Sequence, residues 1–300
     1  MFPRGYCFSM LMTFFLLVLT AMPGSSQELI QKVDDSGCIH WSELVIRCTG
    51  VGAPSPEIPE ARRSAVVIKS ARADALEKLI RTLKGIHITS QTIVAELMSA
   101  NETLGGRVEK AVEKFNDLGL HYMSDGSVEM EAELFLRGEL MDLLLPPTGG
   151  GKRITDGLRC PLCGQPWPEE QEVPEDIQLV PIEEEHRGPF SGLIVDGRGL
   201  DVSPALAPKV FNEEGKTVYG VEFANRAPSL EAGIVGYEQD FERAQKDKRV
   251  GPNPLVVKSL RALGPNKTDL EIDKNDSALL HSMPEHLQFM KECRVIILVD

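Results

Sequence analysis

Apolar residues recur with a helical period over one long stretch in the first half of the chain. From Pro59 to Gly85 they are spaced by threes and fours, and charged residues lie largely on the other face. This spacing predicts a long amphipathic helix, ended by a glycine that tolerates the backbone geometry of a helix terminus. The apolar stripe is rich in alanine, so we expect the helix to pack closely on a sheet. Its members are Ala61, Ala65, Ile68, Ala75, Leu79 and Leu83.

Strand-like alternation flanks this helix on both sides. The segment Cys38–Cys48 alternates around a three-residue turn centred on Glu43, which predicts a hairpin with its two cysteines directly opposite each other. Asp125–Gly126 is a strong hairpin signal, and apolar positions alternate with polar ones over Val128–Leu136. We therefore expect an antiparallel sheet with one buried face.

Shorter elements of both kinds fill the second half of the chain. We therefore predict an α+β fold of two small domains, each with helices packed on a mostly antiparallel sheet. The predicted elements of the second half are a buried strand at Leu193–Val195, a hairpin over Pro208–Tyr219, a helix at Tyr237–Lys248, a strand at Pro254–Leu263, helices that begin at Asp276 and Pro284, and a last strand at Cys293–Val299.

Composition divides the chain into four regions. Arg4 precedes an apolar run at Met10–Met22, and small residues follow, which is typical of a signal peptide cleaved near Ser26; an uncleaved anchor is the alternative. Residues 147–189 are rich in proline, glycine and glutamate without a sustained period, which favours a flexible linker. The predicted regions are the signal peptide at 1–26, an α+β domain at 27–146, the linker at 147–189 and a second α+β domain at 190–300.

The charge of the chain limits the classes of partner that it can bind. It carries 32 Lys and Arg residues against 45 Asp and Glu residues, a formal net charge of -13, and it has no basic cluster interleaved with aromatic residues. The electrostatic term that drives nucleic-acid binding would be repulsive, so we expect no nucleic-acid partner. After the N-terminal run, no stretch approaches the roughly 20 apolar residues that cross a bilayer, so we expect no membrane span in the mature chain.

Export changes the expected chemistry of the cysteines. An oxidising compartment favours disulfides, and five cysteines remain after the predicted cleavage. Opposed strand positions bring β-carbons close enough for a disulfide, so Cys38 and Cys48 are disulfide candidates, with two small buried thiols as the alternative. Cys293 is expected to be buried at the head of the last strand.

Cys160 and Cys163 form a C-x-x-C motif in the predicted linker. They are candidates for a local or interchain disulfide, for a metal site, for redox catalysis or for free thiols. A structural zinc site needs four ligands, so His186 and Cys293, or the same motif of a second copy, would have to complete it. Redox catalysis needs a helix N-terminus, and the surrounding prolines leave no such helix. The cofactor prediction is therefore none, with zinc as the alternative.

The other motifs favour structure over catalysis. In "TGGGKR" the phosphate-loop pattern fails, because Pro146 replaces its first glycine and Arg153 replaces its magnesium-binding hydroxyl. Asp196 and Asp201 in "VDGRGLD" fit turn chemistry, with a ligand-facing loop as the alternative. The histidines stand singly and no G-x-S-x-G motif is present, so we predict that the chain is not an enzyme.

Three stretches over about residues 37–146 resemble a known family. They are "GCIHWSELVIRCTGVGAPSP", "ARRSAVVIKSARADALEKLIRTLKGIHITSQT" and "YMSDGSVEMEAELFLRGELMDLLLP". In this order they resemble the N-terminal module of flagellar assembly protein T and related LPP-type envelope lipoproteins. The remainder resembles a C-terminal domain of uncharacterised exported proteins. The resemblance implies an α+β module that acts in envelope or flagellar basal-body assembly, without catalytic residues. The chain lacks the lipid-bearing cysteine of the lipoproteins, since Cys7 precedes the apolar run.

Together these observations predict an exported, non-enzymatic protein of a Gram-negative cell envelope. We expect a periplasmic location, with peripheral attachment to the outer membrane as an alternative, and a role as scaffold or assembly factor there or at the flagellar basal body. The expected partners are envelope or basal-body proteins, and a homo-oligomer is left open. The alternative function is a periplasmic metal-binding or thiol/disulfide protein that uses Cys160 and Cys163.

Overall fold

The computed structural model describes residues 29–33, 37–54, 59–168, 171–174, 176–183 and 188–300. The predicted signal peptide and His186 lie outside these residues. Within them the chain has the predicted α+β class, with helices packed on two large sheets. None of the helices in these ranges is long and apolar enough to cross a membrane.

The first domain is an antiparallel sheet with one long helix across one face. Its elements are β1 at Ile30–Val33, β2 at Gly37–His40, β3 at Val45–Gly52, α1 at Glu60–Lys84, β4 at His87–Thr89, β5 at Thr92–Ile93, α2 at Val94–Ala100, α3 at Glu102–Val112, β6 at Asn116–Tyr122, β7 at Val128–Phe135 and α4 at Glu139–Leu144. The five-stranded sheet has the order β1-β2-β3-β7-β6, and β4 pairs with β5 separately. Helix α1 packs on β3 and β7, which are central strands.

Glycine and alanine explain how closely α1 approaches the sheet. A Cβ atom at Gly50 would lie 2.2 Å from the carbonyl oxygen of Ala71, and one at Gly52 would lie 2.0 Å from that of Val67. The helix presents small side chains at this contact, where Ala71 and Ala75 are fully buried. The close packing predicted from the alanine-rich stripe is therefore confirmed at Ala75, whereas Ala65 of the predicted stripe is exposed and Ala71, outside it, is buried.

The second domain is built on a larger sheet in which parallel pairs prevail. Its elements are β10 at Gly192–Asp196, β11 at Val210–Asn212, β12 at Thr217–Tyr219, α5 at Arg226–Ala232, β13 at Gly236–Glu238, α6 at Phe241–Lys246, β14 at Pro254–Leu263, β15 at Asp269–Ile272, α7 at Lys274–Ser282, α8 at Pro284–Lys291 and β16 at Val295–Leu298; β8 at Leu158–Arg159 and β9 at Val180–Pro181 precede them. The strand order is β12-β11-β15-β14-β10-β16-β13.

The antiparallel arrangement expected from the sequence holds in the first sheet, whereas the second sheet is mixed. Four of its six strand pairs are parallel. Parallel neighbours require long connections, and the helices between β13 and β16 provide them. β10 lies between β14 and β16 in the sheet, and helices pack on the sheet. β10 is therefore buried along most of its length.

Two helices differ from the sequence prediction. The helix expected at Tyr237–Lys248 is shorter, because Tyr237 belongs to β13 and the Asp240 side chain accepts the N–H of Arg243, which starts the helix later. Helix α3 was not predicted, although the Asn101 side chain caps it by accepting the N–H of Leu104.

The two domains share one continuous hydrophobic core. The rings of Trp41 and Tyr237 meet edge to face, with centroids 5.5 Å apart. The backbone also crosses the junction, since the N–H of Leu206 donates to the carbonyl oxygen of His87 at 2.9 Å. The division near residue 146 therefore separates two sheets but not two independent cores.

The contact between β3 and α1 predicts a large effect of one added methyl group. We expect Gly50→Ala to lower the free energy of unfolding by at least about 2 kcal/mol, because the new Cβ would collide with backbone atoms that only a shift of α1 could move. Urea unfolding followed by circular dichroism measures the change.

Gly106→Ala is the matched control for this substitution. A Cβ at Gly106 in α3 meets no atom within 4 Å, so alanine should raise the free energy of unfolding by up to about 1 kcal/mol. Equal stability of Gly50→Ala and the unchanged chain would contradict the assigned contact.

Candidate functional site

The predicted flexible linker is packed on the second domain over its described part. Arg153 anchors it: Nε donates to the carbonyl oxygen of His281 at 2.6 Å, Nη2 to that of Ser282 at 2.7 Å and Nη1 to that of Ile177 at 2.8 Å. Burial lowers the pKa of Arg153 to about 10. We call residues 147–168, 171–174 and 176–183 the docked segment. Its order comes from partners more than 120 positions away, for example Arg153 with His281, which no local pattern reveals.

Two buried histidines hold the backbone on either side of this segment. His281 accepts the N–H of Ile154 at Nδ1, at 3.1 Å, so its neutral ring carries the proton on Nε2 and donates it to the carbonyl oxygen of Val218 at 3.0 Å. His286 accepts the N–H of Phe190 at Nε2, at 3.1 Å. Burial lowers the pKa of His281 to about 4 and also lowers that of His286. Both rings are therefore neutral structural bridges.

Cys160 and Cys163 lie on a tight turn of the docked segment. The N–H of Gly164 donates to the carbonyl oxygen of Cys160 at 3.0 Å, and the N–H of Cys160 donates to that of Gln165 at 2.9 Å. The turn directs the backbone N–H groups of Cys163 and Leu162 at the Cys160 sulfur, and these hydrogen bonds lower the pKa of that thiol. We call this turn the cysteine knuckle. It brings the two predicted site residues together as free thiols.

The predicted disulfide between Cys38 and Cys48 is wrong in register. The turn has four residues, 41–44, so Cys38 lies opposite Arg47 and Cys48 lies opposite Ala132 of β7. Neighbouring positions of a strand point to opposite faces, which separates the two sulfurs. Cys48 lies beneath α1 and donates to the carbonyl oxygen of Ala75, and burial raises the pKa of its thiol to about 11. Both cysteines are free thiols.

The remaining cysteine and the "VDGRGLD" loop are occupied by internal contacts. Cys293 is buried just before β16, as expected, and burial raises the pKa of its thiol. Asp196 accepts two hydrogen bonds from the Arg198 guanidinium, at 2.8 and 2.7 Å, and these contacts lower the pKa of the carboxyl group. Asp201 pairs with Lys267 at 2.9 Å. These pairings support the turn interpretation of the loop.

The glycine run of "TGGGKR" lines a cleft of about 810 Å³. The N–H groups of Gly149 and Gly151 donate to the carbonyl oxygens of residues 221 and 222, so they are taken by backbone partners that a phosphate would have to displace. Lys152 and Lys291 line the cleft together with Glu172 and Glu222. Arg153 also lines the cleft, but its guanidinium is bonded to carbonyl oxygens of the chain, so the remaining charges of the lining are of both signs.

Within the part of the chain that the structure describes, β6 forms an open edge of the first sheet. The strand pairs with β7, and it ends the strand order of the sheet. The N–H of Met123 donates to the carbonyl oxygen of Ser127, and alternation along an antiparallel pair then directs the backbone groups of Leu120 and Tyr122 away from β7. Two apolar side chains on this edge, Leu118 and Tyr122, are 51% and 66% exposed. The edge therefore offers both hydrogen-bonding groups and apolar surface.

The two faces of the sheet differ in charge beside this edge. Gly119 and His121 lie opposite Glu131 and Glu129 on the outer face, and the carboxylate of Glu131 is 3.3 Å from Nε2 of His121. Leu120 and Tyr122 lie opposite buried Met130 and Val128, on the face that α1 covers. A strand added here would contact Gly119 and His121 on one face, with the acidic side chains of β7 behind them, and apolar side chains on the other. The residues that form this edge region are 119–122 of β6 and 128–131 of β7.

A β-bulge limits the regular part of the edge. The pairing of β6 with β7 shifts between Asp117 and Gly119, so Leu118 is an extra residue. Bulges bend an edge strand away from regular pairing. The stretch of β6 that runs in regular register is therefore Gly119–Tyr122.

Sequence reasoning missed the anchor and the edge. Arg153 was noted only for its place in "TGGGKR", because a side chain that bonds remote carbonyl groups leaves no local signal. The edge had a signal in "NDLGLHYM", whose alternate apolar residues precede the hairpin at Asp125–Gly126. That pattern predicts a strand, but it does not tell which strand of the sheet remains open.

The comparisons with known proteins concern the second domain. Residues 192–300 match the family model described as Treponema pallidum Tp0624, second domain. The match begins at the first residue of β10, next to the predicted start of the C-terminal domain at residue 190. No curated protein matches the chain.

The anchoring role of Arg153 predicts a specific defect in Arg153→Lys. The ammonium group keeps the charge but cannot reach three carbonyl oxygens in the planar arrangement of a guanidinium. We expect a loss of about 2–3 kcal/mol in the free energy of unfolding, together with faster protease cleavage within residues 160–180. Lys152→Ala, at an exposed neighbouring position, should change neither. Unchanged cleavage of Arg153→Lys would contradict the anchoring role.

The buried His281 predicts a loss of stability in acid. Its folded pKa of about 4 lies below the unfolded value of about 6.5, so the neutral ring belongs to the folded state and its contribution is complete above pH 6.5. As the pH falls from 6.5 towards 4, the free energy of unfolding should decrease by about 3 kcal/mol from this group alone. Urea titrations at pH 7 and pH 4.5 measure the difference.

His281→Gln should flatten this pH dependence and leave the smaller part due to His286. Glutamine can still accept the N–H of Ile154 but does not titrate. His121→Gln is the matched control for the same exchange at an exposed position. An identical acid slope in His281→Gln and the unchanged chain would show that another group titrates.

Proposed function

We propose that the chain is an exported, non-enzymatic protein of the cell envelope that binds a strand of a partner protein at β6. In this role it acts as a scaffold or assembly factor at the outer membrane or the flagellar basal body. The open, exposed edge at Gly119–Tyr122 carries the proposal. Added strands bind edges of this kind through backbone hydrogen bonds and gain specificity from alternate side chains.

The surroundings of the edge define the chemistry of the partner. On the face covered by α1, the new strand would contact Leu120 and Tyr122, which favours apolar residues at every second position. On the outer face its direct neighbours would be Gly119 and His121, and Glu129 and Glu131 lie one strand further in, which favours lysine or arginine side chains long enough to reach across β6 at the positions between. The proposed partner is therefore an extended segment that alternates apolar and basic residues.

Sequence features support the cellular setting of this proposal. The N-terminal pattern around Met10–Met22 is typical of an export signal, and the stretches over residues 37–146 resemble the N-terminal module of flagellar assembly protein T. The similarity of residues 192–300 to the second domain of Treponema pallidum Tp0624 is compatible with a module that recurs in larger proteins. A periplasmic location and partners from the envelope follow from these features.

A second candidate function is metal or thiol chemistry at the cysteine knuckle. The N–H groups aimed at the Cys160 sulfur favour it, because they stabilise a thiolate, which is the form that binds metals. This function does not require β6, so the two candidates can be tested separately.

Cross-linking in cells tests the proposed strand binding. Tyr122→Pro removes one outward N–H and should reduce the yield of cross-linked envelope partner about tenfold, since a lost hydrogen bond and a lost fit cost about 1.4 kcal/mol together. The N–H at this position points away from β7, so the fold should be retained, as circular dichroism would verify.

Tyr122→Thr is the matched control for this experiment. It removes the ring but keeps the backbone N–H, so it should retain more of the cross-linked product than Tyr122→Pro. Partner recovery that is the same in the unchanged chain and in a folded Tyr122→Pro variant would reject β6 as the binding edge.

A further inference from the structure

We propose that the cysteine knuckle holds half of a zinc site, and that the knuckle of a second copy of this chain completes it. Zinc would then join two chains through four sulfur ligands, two from each Cys160 and Cys163 pair. The inference deepens the second candidate function, metal binding at the knuckle, and does not rest on strand binding at β6.

The backbone of the knuckle already has the form that metal ligands need. Hydrogen bonds from Gly164 to Cys160 and from Cys160 to Gln165 close the turn, and Gly164 adopts a φ of 71°, which favours glycine. This closed turn carries both thiols on one short stretch of chain.

The base of the knuckle is fixed before any metal binds. Leu158 is fully buried with Leu179 and Ala278, and the N–H of Trp167 donates to the carbonyl oxygen of Leu158 at 3.0 Å. Arg153 holds the same segment on the second domain. Because the turn is anchored on both sides, binding would order few additional groups, which favours affinity.

The ligand count points to a second copy of the chain. Structural zinc takes four ligands, and the knuckle supplies two. A two-fold axis through the metal would bring an identical pair of thiols to it, which is the commonest symmetry of protein oligomers.

The surface of the knuckle fits such an arrangement. Cys163 is exposed, and the side chain of Leu162 between the two cysteines is 95% exposed. Two knuckles meeting at one metal ion would place their leucines against each other and remove this apolar surface from water. The exposed Arg159 next to Cys160 would offset part of the negative charge of the centre.

The chemistry of binding balances without an oxidant. One Zn²⁺ and four thiols give a zinc tetrathiolate with a net charge of 2−, and four protons leave to the solvent. A disulfide between the two cysteines would instead require an electron acceptor and would remove the ligands. The two states are therefore mutually exclusive and distinguishable by mass.

Zinc titration of the purified full chain tests the proposal. The protein is reduced, freed of metal and titrated with ZnCl₂, while sedimentation velocity measures its mass and plasma emission spectrometry measures its zinc. We expect half an equivalent of zinc per chain, a doubling of the mass, and protection of Cys160 and Cys163 from alkylation. No bound zinc, or one zinc per chain in a monomer, would overturn the proposal.

Single substitutions connect the result to the knuckle. Cys160→Ser and Cys163→Ser should each abolish both the zinc and the dimer, whereas Cys38→Ser, at a half-buried thiol of the first sheet, should keep both. Thermal unfolding of the metal-free variants verifies that they are folded. A dimer that persists in folded Cys160→Ser, or a Cys160–Cys163 disulfide in protein taken directly from cells, would also refute the zinc bridge. Tyr122→Pro should leave zinc binding intact, so the two proposals are tested independently.

Discussion

The edge-to-face contact of Trp41 and Tyr237 joins the two sheets into one body. Both side chains are almost completely buried, and the Tyr237 hydroxyl donates to the carbonyl oxygen of Ala205 and accepts the N–H of the same residue. Aromatic contacts of this geometry contribute about 0.5–1.5 kcal/mol beyond the burial of their surface. Since the core runs through this junction, the surfaces of the two domains keep fixed positions relative to each other. A partner bound at β6 and a metal bound at the cysteine knuckle would therefore be held in a defined geometry by one molecule.

The docked segment has the composition of a linker, but it is ordered because side chains form the hydrogen bonds that a neighbouring strand would usually form with its backbone. Buried backbone groups must be hydrogen-bonded. Arg153 satisfies carbonyl groups, whereas His281 and His286 accept N–H groups; the two imidazole rings are fully buried and Arg153 is half-buried. The cost of burying them is offset only if every partner is in place, so the docked segment should form or detach as a unit. This arrangement also makes the neutrality of two imidazole rings a condition for the position of the cysteine knuckle.

Local patterns predicted the parts of this molecule that depend on local physics. The period of α1 and its alanines predicted the helix and its close packing on a sheet, and the Asp125–Gly126 signal predicted the hairpin of β6 and β7; the contact with Gly50 came from the structure. The direction of the strands in the second sheet could not be predicted from the sequence, because alternation of apolar and polar residues has the same period in parallel and antiparallel pairs. The predicted pairing of Cys38 with Cys48 was wrong because the turn between them is longer by one residue and includes Leu44 at a φ of 55°. One added residue reverses the face of every later side chain. The C-x-x-C motif was visible in the sequence, whereas its rigid base depends on contacts with α7 that only the folded chain shows.

The bulge at Leu118 has a consequence for how long any complex at β6 could last. Only four residues, Gly119–Tyr122, continue in register beyond it, and in an antiparallel ladder half of these direct their amide and carbonyl groups outward. A visiting strand would thus gain few main-chain bonds, and its residence time would be short compared with that of a strand built permanently into a sheet. Such an edge suits a client that is held during assembly and then handed over, and it also discourages the indefinite stacking of like edges that leads to fibrils.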